Sequence, residues 1–250
     1  MSIVAIVNQK GGVGKTTTAI NLGAALGALE SRVLLVDCDP QANASRGLGS
    51  DLSPPLLYDA MVGSCHITEA VRPSGFAGLD LVPSDRNLVG LEVELVGREG
   101  WESGLRTQLA GLDSYATILL DCPPSLGHLT INALVAADRV LVPMQCEYFA
   151  LEGLAELMST VTRIQQTLNP GLGIAGILMT MYDDRTRLSR QVFEEVRRHF
   201  PDQVYQTVVP RNVRLAEAPS HGVPALHYDI KCRGAQAYLD LAQEYLARAA

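Results

Sequence analysis

Asn8-Gln9-Lys10-Gly11-Gly12-Val13-Gly14-Lys15-Thr16-Thr17-Thr18 is the most informative stretch of this chain. An apolar run, Ile3 to Val7, leads into it, and a helix-favouring run, Ala19 to Leu29, follows it. A strand, a glycine loop and a helix in this order provide the setting for a phosphate site. Glycines adopt backbone angles closed to other residues, and a helix N-terminus offers unpaired N–H groups and the positive end of its dipole. The stretch predicts a nucleotide-binding loop, the alternative being a glycine-rich turn that binds nothing.

The side chains of this loop are those that nucleotide chemistry uses. Lys15 can reach the β- and γ-phosphates, the Thr16 hydroxyl can bind Mg²⁺, and Thr17 can reach the α-phosphate. Gln9 stands where the general pattern G-x-x-x-x-G-K-[ST] has glycine, and Lys10 adds a second lysine. Two of the three lysines of the chain lie in this loop, which indicates that they serve the site. The predicted nucleotide-binding residues of the loop are Lys10, Gly11, Gly12, Val13, Gly14, Lys15, Thr16 and Thr17.

Composition predicts one domain, residues 1–250, long enough to bury a full core. Apolar residues make up 47% of the chain, and the net charge is −7. The charge is uneven, since residues 181–233 hold nine Lys/Arg against seven Asp/Glu and the remainder holds eleven against twenty. We therefore expect any contact with a polyanion to fall in residues 181–233.

Cysteine usage and hydropathy suggest a cytoplasmic protein that does not enter a membrane. The five cysteines are scattered singly, so a metal or cluster site within one chain has weak support. The chain begins directly in a strand without a signal peptide. No apolar run approaches the length of a transmembrane helix.

Short apolar runs alternate with helical patterns along the chain, which predicts a parallel sheet covered by helices on both faces. The fold class is therefore α/β, a three-layer P-loop NTPase fold with a mainly parallel sheet. Ligands of such sheets lie beyond the carboxyl ends of the strands. The predicted strands are Ile3–Asn8, Arg32–Asp37, Leu79–Pro83, Thr117–Asp121, Val140–Met144, Ile174–Thr180 and Val204–Val209, and the Pro/Gly/Ser-rich part from Gly47 to Gly78 is interpreted as surface excursions.

Two of the predicted strands end in carboxylates. Asp37 and Asp39 alternate after an apolar run, and Asp39 precedes Pro40, so a cap of a helix or turn is the alternative for Asp39. Asp121 follows the apolar run Ile118 to Leu120, as in the Walker B pattern. This pattern is weak alone, but it becomes informative in a chain that also has a P-loop. Thr16 and Asp121 are the predicted Mg²⁺ ligands.

Later segments carry weaker signals. Pro210 and Asn212, at the end of the seventh predicted strand, could frame an adenine base. Gln145 to Gly153 shows no obvious chemistry and is interpreted as a helix start and packing surface. Residues 234–250 predict a helix that packs back on the core, because Arg248 is its only basic residue and a membrane-surface helix would be rich in Lys/Arg.

Five motifs together resemble the ParA/Soj family of deviant Walker A chromosome-partitioning ATPases, within the ParA/MinD superfamily, over nearly the whole chain. They are Q-K-G-G-V-G-K-T-T-T, L-L-V-D-x-D-P-Q, D-C-P-P-S-L-G, Q-C-E-Y-x-A-L-E-G-L and V-P-R-N-V-R-L-x-E-A-P-S-H-G. The resemblance implies an ATPase that uses ATP and Mg²⁺. It also implies an ATP-bound sandwich homodimer that binds double-stranded DNA without sequence preference, and hydrolysis stimulated by a ParB-type protein that releases the DNA.

The resemblance also implies roles for particular residues. Lys10 would cross the dimer interface to the partner's nucleotide, Lys15 would act on the phosphates, and Asp39 would position the attacking water, so these three are the catalytic candidates. Arg185 and Arg214 match the DNA-binding arginines of close relatives. The expected location is the cytoplasm, in association with the nucleoid. Alternatives are a MinD-like membrane ATPase that places the division site, a cluster-carrying reductase of the NifH class, and a positioner of another cargo.

Overall fold

Seven strands form one sheet at the centre of the structure, a computed structural model that describes residues 1–94 and 99–249. The strands are β1 (Ser2–Ile6), β2 (Val33–Asp37), β3 (Arg72–Phe76), β4 (Leu79–Val82), β5 (Thr117–Asp121), β6 (Arg139–Gln145) and β7 (Gly173–Thr180). Their order across the sheet is β3-β4-β2-β5-β1-β6-β7. All neighbours are parallel except β3 and β4. The predicted α/β class with a mainly parallel sheet is confirmed.

Helices cover both faces of this sheet. They are α1 (Lys15–Ala28), α2 (Asn43–Gly47), α3 (Leu57–Met61), α4 (Ile67–Ala70), α5 (Leu88–Glu94), α6 (Gly104–Leu109), α7 (His128–Ala136), α8 (Ala150–Thr167), α9 (Arg187–His199), α10 (Val213–Glu217), α11 (Ala225–Tyr228) and α12 (Arg233–Ala249), with short 3₁₀ turns at Trp101–Ser103 and Ala218–His221.

The central strands are buried on both faces, which explains their continuous apolar sequences. In and just after β1, Ile3, Ala5 and Val7 pack in one core, whereas Val4 and Ile6 pack in the other. The first core lies under α3 to α9, and the second lies under α1, α2 and α10 to α12. Two separate apolar layers are the expected result of a sheet whose side chains alternate between faces.

Helix α12 packs against α1, the helix that follows the glycine loop. The hydroxyls of Tyr238 and Thr18 lie 3.0 Å apart and both residues are buried. The predicted helix over residues 234–250 is thus confirmed over the described residues. No helix among residues 1–94 and 99–249 combines the length and the apolarity that a membrane span requires.

Two sequence expectations differ from the structure. Residues 72–76, within the part interpreted as surface excursions, form the antiparallel edge strand β3. The predicted strand Val204–Val209 is not a strand. It forms an isolated bridge to β7 at Val204, and the N–H groups of Tyr205 and Val209 donate to Ile177 and Met179 at 3.0 and 2.8 Å. Between these points the N–H groups of Gln206 and Thr207 donate to the Glu244 carboxylate at 2.8 and 2.9 Å, so helix α12 takes the hydrogen bonds that a sheet neighbour would have used.

Candidate nucleotide site

The glycine loop joins β1 to α1 and contains two glycines with positive φ angles. Gly12 and Gly14 have φ values of 75° and 89°, which only glycine adopts without strain. Helix α1 begins at Lys15, and its N-cap, Gly14, offers no side chain to the first N–H groups. Because the first turn of a helix leaves its N–H groups unpaired, this end of α1 is suited to bind an anion.

A cleft of about 610 Å³ opens over the loop. It is bordered by backbone and side chains of the loop, by the segment after β2, and by α10 with the turn that follows. Val13, also predicted to bind nucleotide, is buried and does not line this cleft. The predicted residues that line this cleft are Gly11, Gly12, Gly14, Lys15, Thr16, Thr17 and Asp39.

The ammonium group of Lys15 folds back onto the backbone of the glycine loop. Its side chain is buried, and Nζ donates to the backbone oxygen of Lys10 at 3.1 Å. Burial lowers the pKa of Lys15, and the nearby acidic groups, Asp121 foremost, act in the opposite direction. A buried cation next to an open cleft is stabilised when an anion enters.

Asp37 and Asp121 end neighbouring parallel strands and are register partners. Both are completely buried. Asp37 accepts hydrogen bonds from the N–H and hydroxyl of Ser45 at 2.8 and 2.6 Å. In contrast, neither carboxylate oxygen of Asp121 has a hydrogen-bond partner among the described residues. Burial, followed by the charge of Asp37, raises the pKa of Asp121 well above its usual range.

An unpaired buried carboxylate is costly, and a divalent cation would satisfy it. The Thr16 hydroxyl is close enough to lower the pKa of Asp121 in part, although it does not meet the geometry of a hydrogen bond with either oxygen. Oxygen donors from a threonine and an aspartate are the ligands that Mg²⁺ prefers. The residues present therefore fit a Mg²⁺ ion.

Asp39 lies at the edge of the cleft and is 6% exposed. Its Oδ1 accepts a hydrogen bond from the N–H of Gln41 at 2.9 Å, and its backbone oxygen accepts one from Ser84 Oγ at 2.9 Å. The turn cap weighed as an alternative is therefore present. Because Asp39 also lines the cleft, the cap and a role toward nucleotide are compatible.

A second cavity, of about 320 Å³, adjoins the loop on the side of Thr17 and Thr180. Pro210 and Asn212, the residues predicted to frame a base, both line it. Asn212 also caps α10, with its Oδ1 accepting from the N–H of Arg214 at 2.9 Å. A phosphate cleft beside a largely apolar cavity has the layout of a nucleotide site.

Lys10 does not line the cleft of its own chain. Its side chain is 52% exposed and forms an ion pair with Glu147, just after β6. From the same segment, Gln145 Nε2 donates to the backbone oxygen of Gly12 at 2.7 Å. Tyr148 and Phe149 follow with exposed, edge-to-face rings.

Residues 145–153 lead into helix α8, as interpreted from the sequence, but that interpretation did not include the contacts of Gln145 and Glu147 with the loop. The available signal was their position, since they follow a central strand at the same sheet edge as the other site residues.

The arginines predicted to contact DNA are held by acidic neighbours. Arg185 is 85% exposed and makes two hydrogen bonds to Asp183, at 2.9 and 2.8 Å. These bonds lower the pKa of Asp183 to about 2. Arg214 is 47% exposed, pairs with Glu217 at 2.8 Å and lies over the ring of Tyr228.

The two arginine-bearing segments are joined at the sheet edge. The N–H of Tyr182 donates to Val209 at 3.0 Å, and the N–H of Arg211 donates to Tyr182 at 3.3 Å. Arg211 and Arg233 also share a cavity with Arg185. Arg233 was not singled out from the sequence, because it is 48 positions from Arg185 and only the fold brings the two together.

The fold and this site define a P-loop protein of the α/β class. A family model described as an AAA domain matches residues 1–174. The chromosome partitioning protein ParA of Caulobacter vibrioides is 52% identical over 99% of this chain and 95% of its own length. The sporulation initiation inhibitor protein Soj of Bacillus subtilis is 52% identical over 98% of both chains. The chain belongs to the ParA/Soj family of chromosome-partitioning ATPases.

Solved structures agree with this placement. A protein named cobyrinic acid a,c-diamide synthase from Mycobacterium smegmatis, bound to ADP and magnesium, has a TM-score of 0.87 and 36% identity over 100% of this chain and 95% of its own. The cell division ATPase MinD of Pyrococcus furiosus has a TM-score of 0.81 and 27% identity over 100% and 99%. The partitioning proteins are the more similar in sequence.

Proposed function

We propose that residues 1–250 act as a single ATPase domain that drives chromosome partitioning. The proposal depends on two neighbouring features: the helix N-terminus in the glycine loop, which has no side-chain cap, and Asp121, a buried carboxylate without a partner among the described residues. Relatives named as chromosome partitioning proteins are 52% identical over nearly the whole chain. ATP is the substrate, and Mg²⁺ is the cofactor.

The loop binds and orients the phosphates of ATP. Gly11, Gly12, Gly14, Thr16 and Thr17 line the cleft, Lys15 neutralises the β- and γ-phosphates, and Thr16 and Asp121 would hold Mg²⁺. When bound, Mg²⁺ neutralises charge on the phosphate oxygens. Asp39, at the cleft edge, positions the attacking water. Phosphoryl transfer depends on positioning and charge stabilisation, so hydrolysis by one chain alone should be slow.

Two chains complete the site. The Lys10 ammonium lies outside its own cleft and half exposed, which supports a role toward the nucleotide of a second copy. The pair with Glu147 is exposed, and exposed ion pairs are weak enough to exchange. ATP bound between two copies would therefore bring together a homodimer in which each Lys10 supplies positive charge to the other site.

DNA binding follows from the dimer. Arg185 and Arg214 are exposed on the segment whose charge balance is positive. Each arginine that contacts a phosphate releases counterions, so binding is independent of sequence and sensitive to salt. A dimer doubles the arginine surface and raises avidity without new contacts. ATP-dependent dimerisation thus becomes ATP-dependent binding of double-stranded DNA and association with the nucleoid.

Release requires hydrolysis, which a ParB-type partner would stimulate. The support for this step is that relatives of this chain are named as chromosome partitioning proteins. Partitioning requires ATP hydrolysis to be coupled to the position of the DNA. Localisation in the cytoplasm, on the nucleoid, follows from this cycle.

The test is retention of a fluorescent DNA duplex in the presence of ATP, ADP or no nucleotide, over a range of salt. We expect retention with ATP only, lost at high salt and lost in Arg214→Ala. Arg163→Ala, which removes an exposed arginine from α8, is the matched control and should behave as the parent. Equal retention without nucleotide, or equal loss in both variants, would refute the proposal.

A further inference from the structure

Four backbone oxygens of the glycine loop accept hydrogen bonds from groups of the same chain. The oxygen of Lys10 accepts from Lys15 Nζ at 3.1 Å, and that of Gly14 accepts from the N–H of Thr18 at 2.8 Å. The other two partners are side chains from distant strands. Gln145 Nε2 donates to Gly12 at 2.7 Å, and Thr180 Oγ1 donates to Val13 at 2.7 Å.

These two bonds determine which way two peptide units face. In a trans peptide the C=O and the following N–H point in opposite directions. Holding the oxygens of Gly12 and Val13 toward β6 and β7 therefore turns the N–H groups of Val13 and Gly14 away from those strands. Neither N–H has a hydrogen-bond partner in the described part of the chain. A buried or half-buried donor without a partner is suited to receive a ligand oxygen.

We propose that Gln145 and Thr180 are positioning residues that aim the N–H groups of Val13 and Gly14 at the β-phosphate of the nucleotide. This inference rests on the nucleotide binding of the proposed function and adds to it the residues that orient the loop. Neither residue touches the phosphate. They act through the carbonyl groups of the loop, in the way that outer residues orient the ligands of a metal site.

The sheet supplies both residues from one place. Gln145 ends β6, Thr180 ends β7, and the two are register partners in the parallel ladder. Because Thr180 is buried, water does not compete with the Val13 oxygen for the hydrogen bond from its hydroxyl. Its methyl carbon lies 3.7 Å from the position that a Cβ on Gly14 would take, so Thr180 lies directly beside the loop. The pair therefore forms a fixed support on which the loop rests.

The experiment compares the dissociation constants of ADP and AMP in the presence of magnesium. Their ratio isolates the contribution of the β-phosphate. Thr180→Val keeps the shape and removes the hydroxyl, whereas Thr180→Ser restores it. Gln145→Met removes the side-chain donor to Gly12 at a half-buried position. This second variant keeps the test valid if Thr180→Val fails to fold. Thr162→Val, which removes an exposed hydroxyl on α8 that donates to Met158, is the control.

We expect Thr180→Val and Gln145→Met each to reduce the preference for ADP over AMP about three- to tenfold, the value of one hydrogen bond. Thr180→Ser and Thr162→Val should keep the parent preference. Weakening of ADP and AMP by the same factor would indicate a general structural role and overturn the inference. An unchanged preference for ADP over AMP in these variants would also overturn the inference. In either case, the proposed function would still stand if the parent binds ADP. Failure of the parent itself to bind ADP would refute the proposed function, and this inference with it.

Discussion

Asp37 makes the stability of the nucleotide-free protein depend on pH. Its carboxyl group is completely buried at the end of β2, beside Asp121. Burial raises the pKa of Asp37 from 3.8 to about 6, even though hydrogen bonds from Ser45 and Asp39 partly oppose the change. The folded protein therefore holds this proton more tightly than the unfolded chain does.

The sign and size of the effect follow from that difference. The contribution of Asp37 to the free energy of unfolding is fully present below pH 3.8 and is lost as the pH rises to about 6. A pKa difference from 3.8 to about 6 corresponds to a loss of about 3 kcal/mol. The pKa of Asp121 is raised for the same reason, so it changes stability in the same direction.

Asp37→Asn removes the titration and keeps an oxygen that can accept both hydrogen bonds from Ser45. We expect the parent to lose about 2 kcal/mol relative to this variant between pH 4 and pH 7, since part of the total loss occurs below pH 4. Urea unfolding without nucleotide or magnesium, followed by circular dichroism across this range, measures the difference. Asp113→Asn, at an exposed position, should follow the parent. Parallel curves for the parent and Asp37→Asn would refute the reasoning.

Four other substitutions test the site and its support. Lys15→Met should fold but lose the stabilisation by ADP, which for the parent is about 2.7 kcal/mol at 100 times Kd; calorimetry detects it. Asp121→Asn should bind ADP equally well with and without magnesium in titration calorimetry, whereas a retained magnesium effect would contradict its assignment. Asp39→Ala should lower ATP hydrolysis by about 100-fold or more and keep DNA retention with ATP, so a parent-like phosphate release rate would remove its role. Tyr238→Phe should lower the free energy of unfolding by about 1 kcal/mol in urea, since it leaves Thr18 without its partner.

Edge strands were the part of the fold that local sequence patterns could not predict. The segment of β3, Arg-Pro-Ser-Gly-Phe, contains two residues that disfavour strands, and it pairs because an edge position needs hydrogen bonds on one side only. Residues 204–209 are apolar enough for a strand. The N–H groups of Gln206 and Thr207 are instead bound by Glu244, about 40 positions later, which no local pattern reveals.

The sequence by itself determined the glycine loop, the helix after it and the acidic strand ends, because these depend on residues that are neighbours along the chain. It also determined the class of the sheet, since strands buried on both faces need continuous apolar runs. Tertiary structure alone decided that Gln145 and Thr180 bind the loop and that Glu147 pairs with Lys10. It also decided that Asp121 lies beside Asp37, with no hydrogen-bond partner in the part of the chain that the structure describes. These contacts join residues 84 to 167 positions apart, and only the order of the strands in the sheet brings them together.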